Sequence, residues 1–81
     1  MNISDFATLI DEGHEIEFVY KNKKYSVTYG EIDGTEVISL CEFYKDSVEV
    51  TNVNELLGIS YNGNKVSDMV LSLTDDAIWI F

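Results

Sequence analysis

The sequence predicts an α+β domain: a mainly antiparallel β-sheet of about four strands with two to three helices packed on one face, in the order α-β-β-β-α-α-β. Three observations predict it. Apolar residues recur at helical spacing at the start of the chain and again near residues 65–73, with a brief capped run between them. The remaining segments alternate with period two or are rich in β-branched and aromatic residues. The joints are short polar runs or Asx-Gly dipeptides, and no proline, linker, low-complexity segment or repeat interrupts the 81 residues.

Each element has a local reason. Ile3, Phe6, Ala7 and Ile10 form one apolar helical face, Asn2 is the N-cap with Asp5 in the first turn, and Gly13 is the stop after Glu12. In His14–Tyr20, Ile16, Phe18 and Tyr20 alternate with Glu15, Glu17 and Val19. In Lys24–Gly30, Tyr25, Val27 and Tyr29 alternate with Lys24, Ser26 and Thr28, and the polar run Lys21-Asn22-Lys23 closes the pair as a hairpin. One apolar and one polar face on each strand predict a sheet with a wet side. After a turn at Asp33-Gly34, the strand Thr35–Tyr44 is apolar on both faces. Val37, Cys41 and Phe43 share one parity, and Ile38, Leu40 and Tyr44 the other. That pattern predicts a central position or a covered second face. Lys45-Asp46 turns again, and Ser47–Val50 is a short extended piece.

Asn52 followed by Glu55 starts a brief helix in the manner of a capping box. Val53, Leu56 and Leu57 supply its apolar side and Gly58 ends it. Ile59–Tyr61 leads into a second strong turn at Asn62-Gly63. The spacing of Val66, Met69, Val70 and Leu73 predicts a helix over 65–73, with a strand as the competing reading because several residues there are β-branched. Ala77–Phe81 reads as a strand with no polar side chain on either face. An exposed edge of that kind invites association, so the strand is either central or part of a subunit interface. The second alternative implies a homodimer through Ala77 to Phe81.

Length and composition bound the function classes. Eighty-one residues make one domain, residues 1–81, and a chain this short buries roughly 60–65% of its unfolded surface, so the core is small. Aromatic residues are 12% of the chain, too many for a disordered acidic tail. Fifteen acids stand against five lysines and no arginine, a formal net charge of −10. The field of such a molecule disfavours nucleic acid and anionic membrane surfaces, and it favours a basic protein surface. Solubility alone is the competing reading of the charge. The single cysteine, Cys41, permits no internal disulfide and fits a reducing compartment. With no signal-peptide pattern at Met1–Ile10 and no long apolar run, the expectation is a cytoplasmic protein.

No residue constellation predicts an enzyme. Cys41 and His14 are the only candidates for a nucleophile–base pair, and no flanking signature supports them; Cys41 reads as a core residue and His14 as a solvated one at a helix C-terminus. One Cys and one His cannot make a zinc site. The run Glu31-Ile32-Asp33-Gly34-Thr35-Glu36 offers oxygens and a glycine without the spacing of a calcium loop. The scattered glycines form no phosphate-binding motif. No cofactor and no metal are expected.

The charge layout carries more information. Residues 1–20 hold five acids and no lysine, residues 21–30 hold three lysines and no acid, and residues 31–55 hold seven acids and one lysine. Asp11 and Glu12 in the last turn of the first helix oppose its dipole, and Glu15 and Glu17 follow on one face of the next strand. Asp11, Glu12, Glu15 and Glu17 therefore form a candidate partner-binding patch, to which Glu31, Asp33 and Glu36 add; the alternative is a solvated face. Tyr20, Tyr25 and Tyr29 beside Lys21, Lys23 and Lys24 would suit stacking on a single strand, but core packing explains Tyr25 and Tyr29 better.

The stretch Glu15–Tyr29, with Glu17-Phe18-x-Tyr20 and Lys23-Lys24-Tyr25-Ser26-Val27, resembles small uncharacterised proteins of Gram-positive bacteria and their prophages, as do a short helix like Asn52–Leu57 and a segment like Ile59-x-Tyr61-x-Gly63-x-Lys65-Val66. The resemblance covers about two thirds of the chain and carries no activity with it. In size and acidity the chain is also similar to phage-encoded inhibitors such as anti-CRISPR and anti-restriction proteins. The functional expectation is a non-enzymatic inhibitor or modulator of a basic, nucleic-acid-binding protein. Two others stand beside it. One is an immunity or antitoxin protein that neutralises a basic toxin. The other is a protein that sequesters a small anionic ligand in a pocket near Lys21, Lys23 and Lys24.

Overall fold

In the computed structural model, which describes all 81 residues, a five-stranded antiparallel sheet carries three helices on one face. α1 (Ile3–Asp11) precedes a meander of β1 (Ile16–Tyr20), β2 (Lys23–Ile32), β3 (Thr35–Glu42) and β4 (Ser47–Val50). The chain then crosses the covered face as α2 (Val53–Gly58), a small hairpin of β5 (Ser60–Tyr61) and β6 (Asn64–Lys65), and α3 (Val66–Ser72). A 3₁₀ turn at Asp75–Ala77 returns it as β7 (Ile78–Ile80), which lies beside β1. The spatial order is β4-β3-β2-β1-β7.

Local chemistry explains the joints. The Asn2 side chain accepts from the Asp5 N–H at 2.7 Å, and the Asn52 side chain from the Glu55 N–H at 2.8 Å. Each satisfies a donor that the helix itself leaves without a partner. Glu55 completes its box one residue early, taking the Thr51 N–H rather than that of Asn52. Three hairpins close on two-residue turns in which both residues have positive φ: Lys21-Asn22, Asp33-Gly34 and Asn62-Gly63. This backbone matches the right-handed twist of the flanking strands, and at its second position glycine or asparagine adopts the left-handed region at least cost.

Register sorts the side chains. Ile16 lies opposite Val27, which lies opposite Leu40; Phe18 faces Tyr25; Tyr29 faces Ile38, which faces Val50. All of these point to the helices, where Phe6, Ile10, Leu56, Val66, Met69, Val70 and Leu73 meet them. The fifteen buried residues form one cluster, and none is charged. Phe18 and Tyr25 stack at 5.1 Å, with Tyr61 edge-on to Tyr25 at 5.8 Å.

The structure bears out the α+β class and adds detail. The extended piece Ser47–Val50 is a full strand, which makes the sheet five-stranded, and the segment flanking Asn62-Gly63 is a second, two-stranded sheet. Residues 66–72 are helical: a buried stripe of Val66, Met69 and Val70 outweighs the strand preference of β-branched residues.

Two expectations are corrected and a third is settled between its alternatives. β7 is an edge strand, not a central one. Its apolar residues remain half exposed, Trp79 at 45% and Ile80 at 46%, because only β1 flanks it. For β3 the interior position holds rather than a covered second face: β4 and β2 flank it, and Val37 and Cys41 sit half-buried on the open face among Ser26, Thr28 and Ser39. Finally, β3 ends at Glu42, and Phe43 and Tyr44 form the turn. Tyr44 therefore leaves the strand with φ 67° and a side chain 99% exposed.

Candidate functional site

The fold sorts charge along the strands. β1 begins, β2 ends, β3 begins and α1 ends at the same end of the sheet, because each neighbour runs antiparallel. That end collects Asp11, Glu12 and Glu15 from the α1–β1 corner and Glu31, Asp33 and Glu36 from the β2–β3 hairpin. The hairpin projects past its neighbours: β1 pairs only as far as Val27 and β4 only as far as Ile38, so Gly30–Val37 stand clear of them. Six of the seven acids singled out in the sequence thus share one end.

Glu17 does not join them. It lies on the open face, opposite Trp79 and Ser26, with an oxygen 3.7 Å from the Lys24 ammonium. Lys24 also lies 4.9 Å from the centre of the Phe43 ring and 5.7 Å from that of Trp79. Sequence reading placed Glu17 with Glu15 because they share a strand face; cross-strand pairing with the lysine hairpin divides them.

The other end holds the lysines. Lys21, Lys23 and Lys24 flank the β1–β2 turn, and Lys45 follows the β3–β4 turn. Lys65 is drawn in because Asn64 beside it accepts from Tyr20 at 3.4 Å and Lys21 at 3.3 Å. Tyr61 braces this end by donating to the Asp46 carbonyl at 2.7 Å and accepting the Glu42 N–H at 2.9 Å.

A groove of about 520 Å³ opens at the acidic end between α1, β2, β3 and the start of α2. Asp11 and Glu36 stand on its walls; Tyr29, Ile10 and Ile38 form its apolar lining; Thr51 and Asn52 contribute polar groups. The Tyr29 hydroxyl donates to the His14 carbonyl at 2.6 Å. Burial, and then the carboxylates of Glu15 and Asp11, push its pKa above the usual 10.0, because each disfavours a phenolate there. The pocket expected beside Lys21, Lys23 and Lys24 is absent: turns that project outward enclose no volume, and the groove lies at the opposite end. Sequence reading missed this groove because its walls come from segments far apart in the chain; only the crowding of acids near both turns hinted at it.

Two pairs of residues at the acidic end are built against electrostatic preference. Glu31 lies directly opposite Glu36 across the hairpin, a like-charge pair that works against the ladder. Asp11 and Glu12 occupy the end of α1, where the free carbonyls already carry negative character and the last turn holds no basic residue.

His14 and Cys41 do not form a pair. The His14 Nδ1 lies 2.8 Å from the Phe81 backbone oxygen and its Nε2 lies 3.6 Å from Glu12, so the solvent-exposed ring also ties the residue after β7 to the α1–β1 corner. Cys41 is half-buried on the open face, outside the core, and its thiol donates to the Glu42 and Lys45 carbonyls. No three His, Cys, Asp or Glu side chains converge to hold a metal ion. No helix is long and apolar enough to cross a membrane. Comparison with protein-family models, with curated proteins and with solved structures gives no match.

Proposed function

We propose that this chain is a non-enzymatic binding protein whose acidic end docks a basic protein surface, acting as an inhibitor or modulator of a nucleic-acid-binding protein in the manner of a phage-type anti-defence protein. The observation that carries the reading is the like-charge pair Glu31–Glu36 on a projecting hairpin, joined at the same end by Asp11, Glu12 and Glu15. A fold that keeps carboxylates where they repel one another gives up stability, which a basic partner would restore on binding. The groove between Asp11 and Glu36 has room for a long basic side chain: its apolar floor suits the methylene stem and the two carboxylates suit the charged head. Segregation of the lysines to the far end supports the same reading, because it orients the molecule as it approaches a cationic surface and speeds association at low salt.

The experiment is capture from a host lysate at low and high salt with three forms of the chain: wild type, Glu31→Lys/Glu36→Lys, and Asp68→Lys on α3 as a charge control. A single basic protein retained by wild type and the control, lost with the double variant and lost at high salt, is the expected result. Its identity then separates the two protein targets: a nuclease or other defence protein fits the inhibitor, whereas a toxin makes the chain an immunity protein. Equal capture by all three forms, or no salt-sensitive partner, would sink the acidic-end reading.

A further inference from the structure

On the open face of the sheet, one ammonium is held by groups from three separate segments. The Lys24 Nζ lies 4.9 Å from the centre of the Phe43 ring, 5.7 Å from that of Trp79 and 3.7 Å from a Glu17 carboxylate oxygen. Backbone pairing fixes the holders. Trp79 lies opposite Glu17 in the β1–β7 ladder, and the Phe43 N–H donates to the Lys24 carbonyl at 2.8 Å. Phe43 also meets Tyr44 edge-on, with 6.1 Å between ring centres, which limits where its ring can turn. Val19, opposite Lys24 on β1, adds an apolar group to the same face. Lys24 is the flexible member: its charge hangs on four methylenes, and 48% of its side chain remains exposed.

We propose that Glu17, Phe43 and Trp79 form a receptor for a trimethylammonium group, which Lys24 fills in the free protein and vacates when the ligand enters. This inference stands apart from the acidic-end reading, because Glu17 is the one acid of that set that lies elsewhere. The class of ligand is read from the cation already in place: two aromatic rings and a carboxylate around one ammonium is the chemistry that recognises quaternary ammonium groups. A primary ammonium such as that of Lys24 is strongly hydrated, and at an exposed site it keeps much of its attraction to water. A trimethylammonium group carries the same charge without N–H donors, so it gives up less water and sets its methyl groups against the two rings and Val19. An ion pair as exposed as Lys24–Glu17 is weak, so the lysine is readily displaced. The net charge of −10 enriches cations around the molecule and assists the exchange.

Proton NMR tests the site, because Trp79 is the single tryptophan and its indole N–H gives one resonance. Choline chloride is titrated against sodium chloride at matched ionic strength and against the uncharged carbon isostere of choline. Choline should shift the indole resonance saturably, and neither control should. Lys24→Ala removes the internal competitor and should tighten choline binding about fivefold, the weight of a surface ion pair. Lys24→Thr, with a side chain favoured in strands, should do the same and guards against a variant that fails to fold. Adding Glu17→Gln to either should reverse the gain. A short neutral peptide with one trimethyllysine, run beside choline, supports the site if it binds, and the tighter of the two names the source of the group. The proposal would be overturned if choline shifts nothing in wild type and in both Lys24 variants. A shift matched by sodium chloride or by the isostere would overturn it equally, as would weaker binding once Lys24 is removed.

Discussion

At the residue scale, the tyrosines show how one side chain can serve packing and polar satisfaction together. Tyr61 is buried, yet its hydroxyl serves both the Asp46 carbonyl and the Glu42 N–H. Tyr61→Phe keeps the ring and strands both groups, so it should cost about 1–3 kcal/mol in urea unfolding, with the loss centred on the lysine end. Tyr29 makes a prediction in pH. Its folded pKa is raised above 10.0, so the unfolded chain releases the proton first and binds fewer protons in that range. Stability from this group is therefore whole below about pH 10 and falls as pH climbs from there through the higher folded value. Tyr29→Phe should cost about 1 kcal/mol at neutral pH through loss of the hydrogen bond to His14, and the gap to wild type should narrow in alkaline solution. A gap that widens above pH 10 would contradict the sign. Tyr44 is the opposite case, strained and fully exposed, and nothing in the sequence marked it: parity along Thr35–Tyr44 assigned it to a strand face. The strand ends before the parity can apply.

At the element scale, what was legible in the sequence was what short-range chemistry decides. The Asn2 and Asn52 caps, the Asp33-Gly34 and Asn62-Gly63 turns and the alternation of β1 and β2 all follow from residues within four positions of one another. Asn52→Ala should accordingly cost about 1 kcal/mol, since α2 has only six residues to hold its first turn. The placement of β7 was not legible. An apolar run looks alike in a central strand and at an uncharged edge, and only the long return across the helices decides which. The groove was hidden for the same reason, because Asp11, Tyr29, Glu36 and Asn52 converge only through tertiary packing. The β2–β3 hairpin carries the sharpest element-level test. Glu36→Gln removes the repulsion across the ladder and should stabilise the fold by roughly 0.2–1 kcal/mol while weakening capture of the basic partner. A variant that loses stability instead would mean that Glu31 and Glu36 do not oppose each other in solution.

At the scale of the whole molecule, a net charge of −10 on a small core makes self-repulsion a standing cost. Salt screens that repulsion, so the urea midpoint should rise as sodium chloride is added from low to physiological ionic strength, while binding of a basic partner should weaken over the same range. Opposite responses in one titration would separate the charge that burdens the fold from the charge that recruits a partner. The return of β7 has a further consequence, in time rather than in space. β1 through β4 meet by short hairpin closures, whereas β7 reaches β1 only after β2 to β4, α2, the small hairpin and α3 have intervened. Closing that loop costs more entropy than any turn in the meander, so the outer edge of β1 is the last to be covered as the chain folds and the first to be bared when it opens. Weakening β7, as in Ile78→Ala, should therefore hasten unfolding and leave the folding rate almost unchanged.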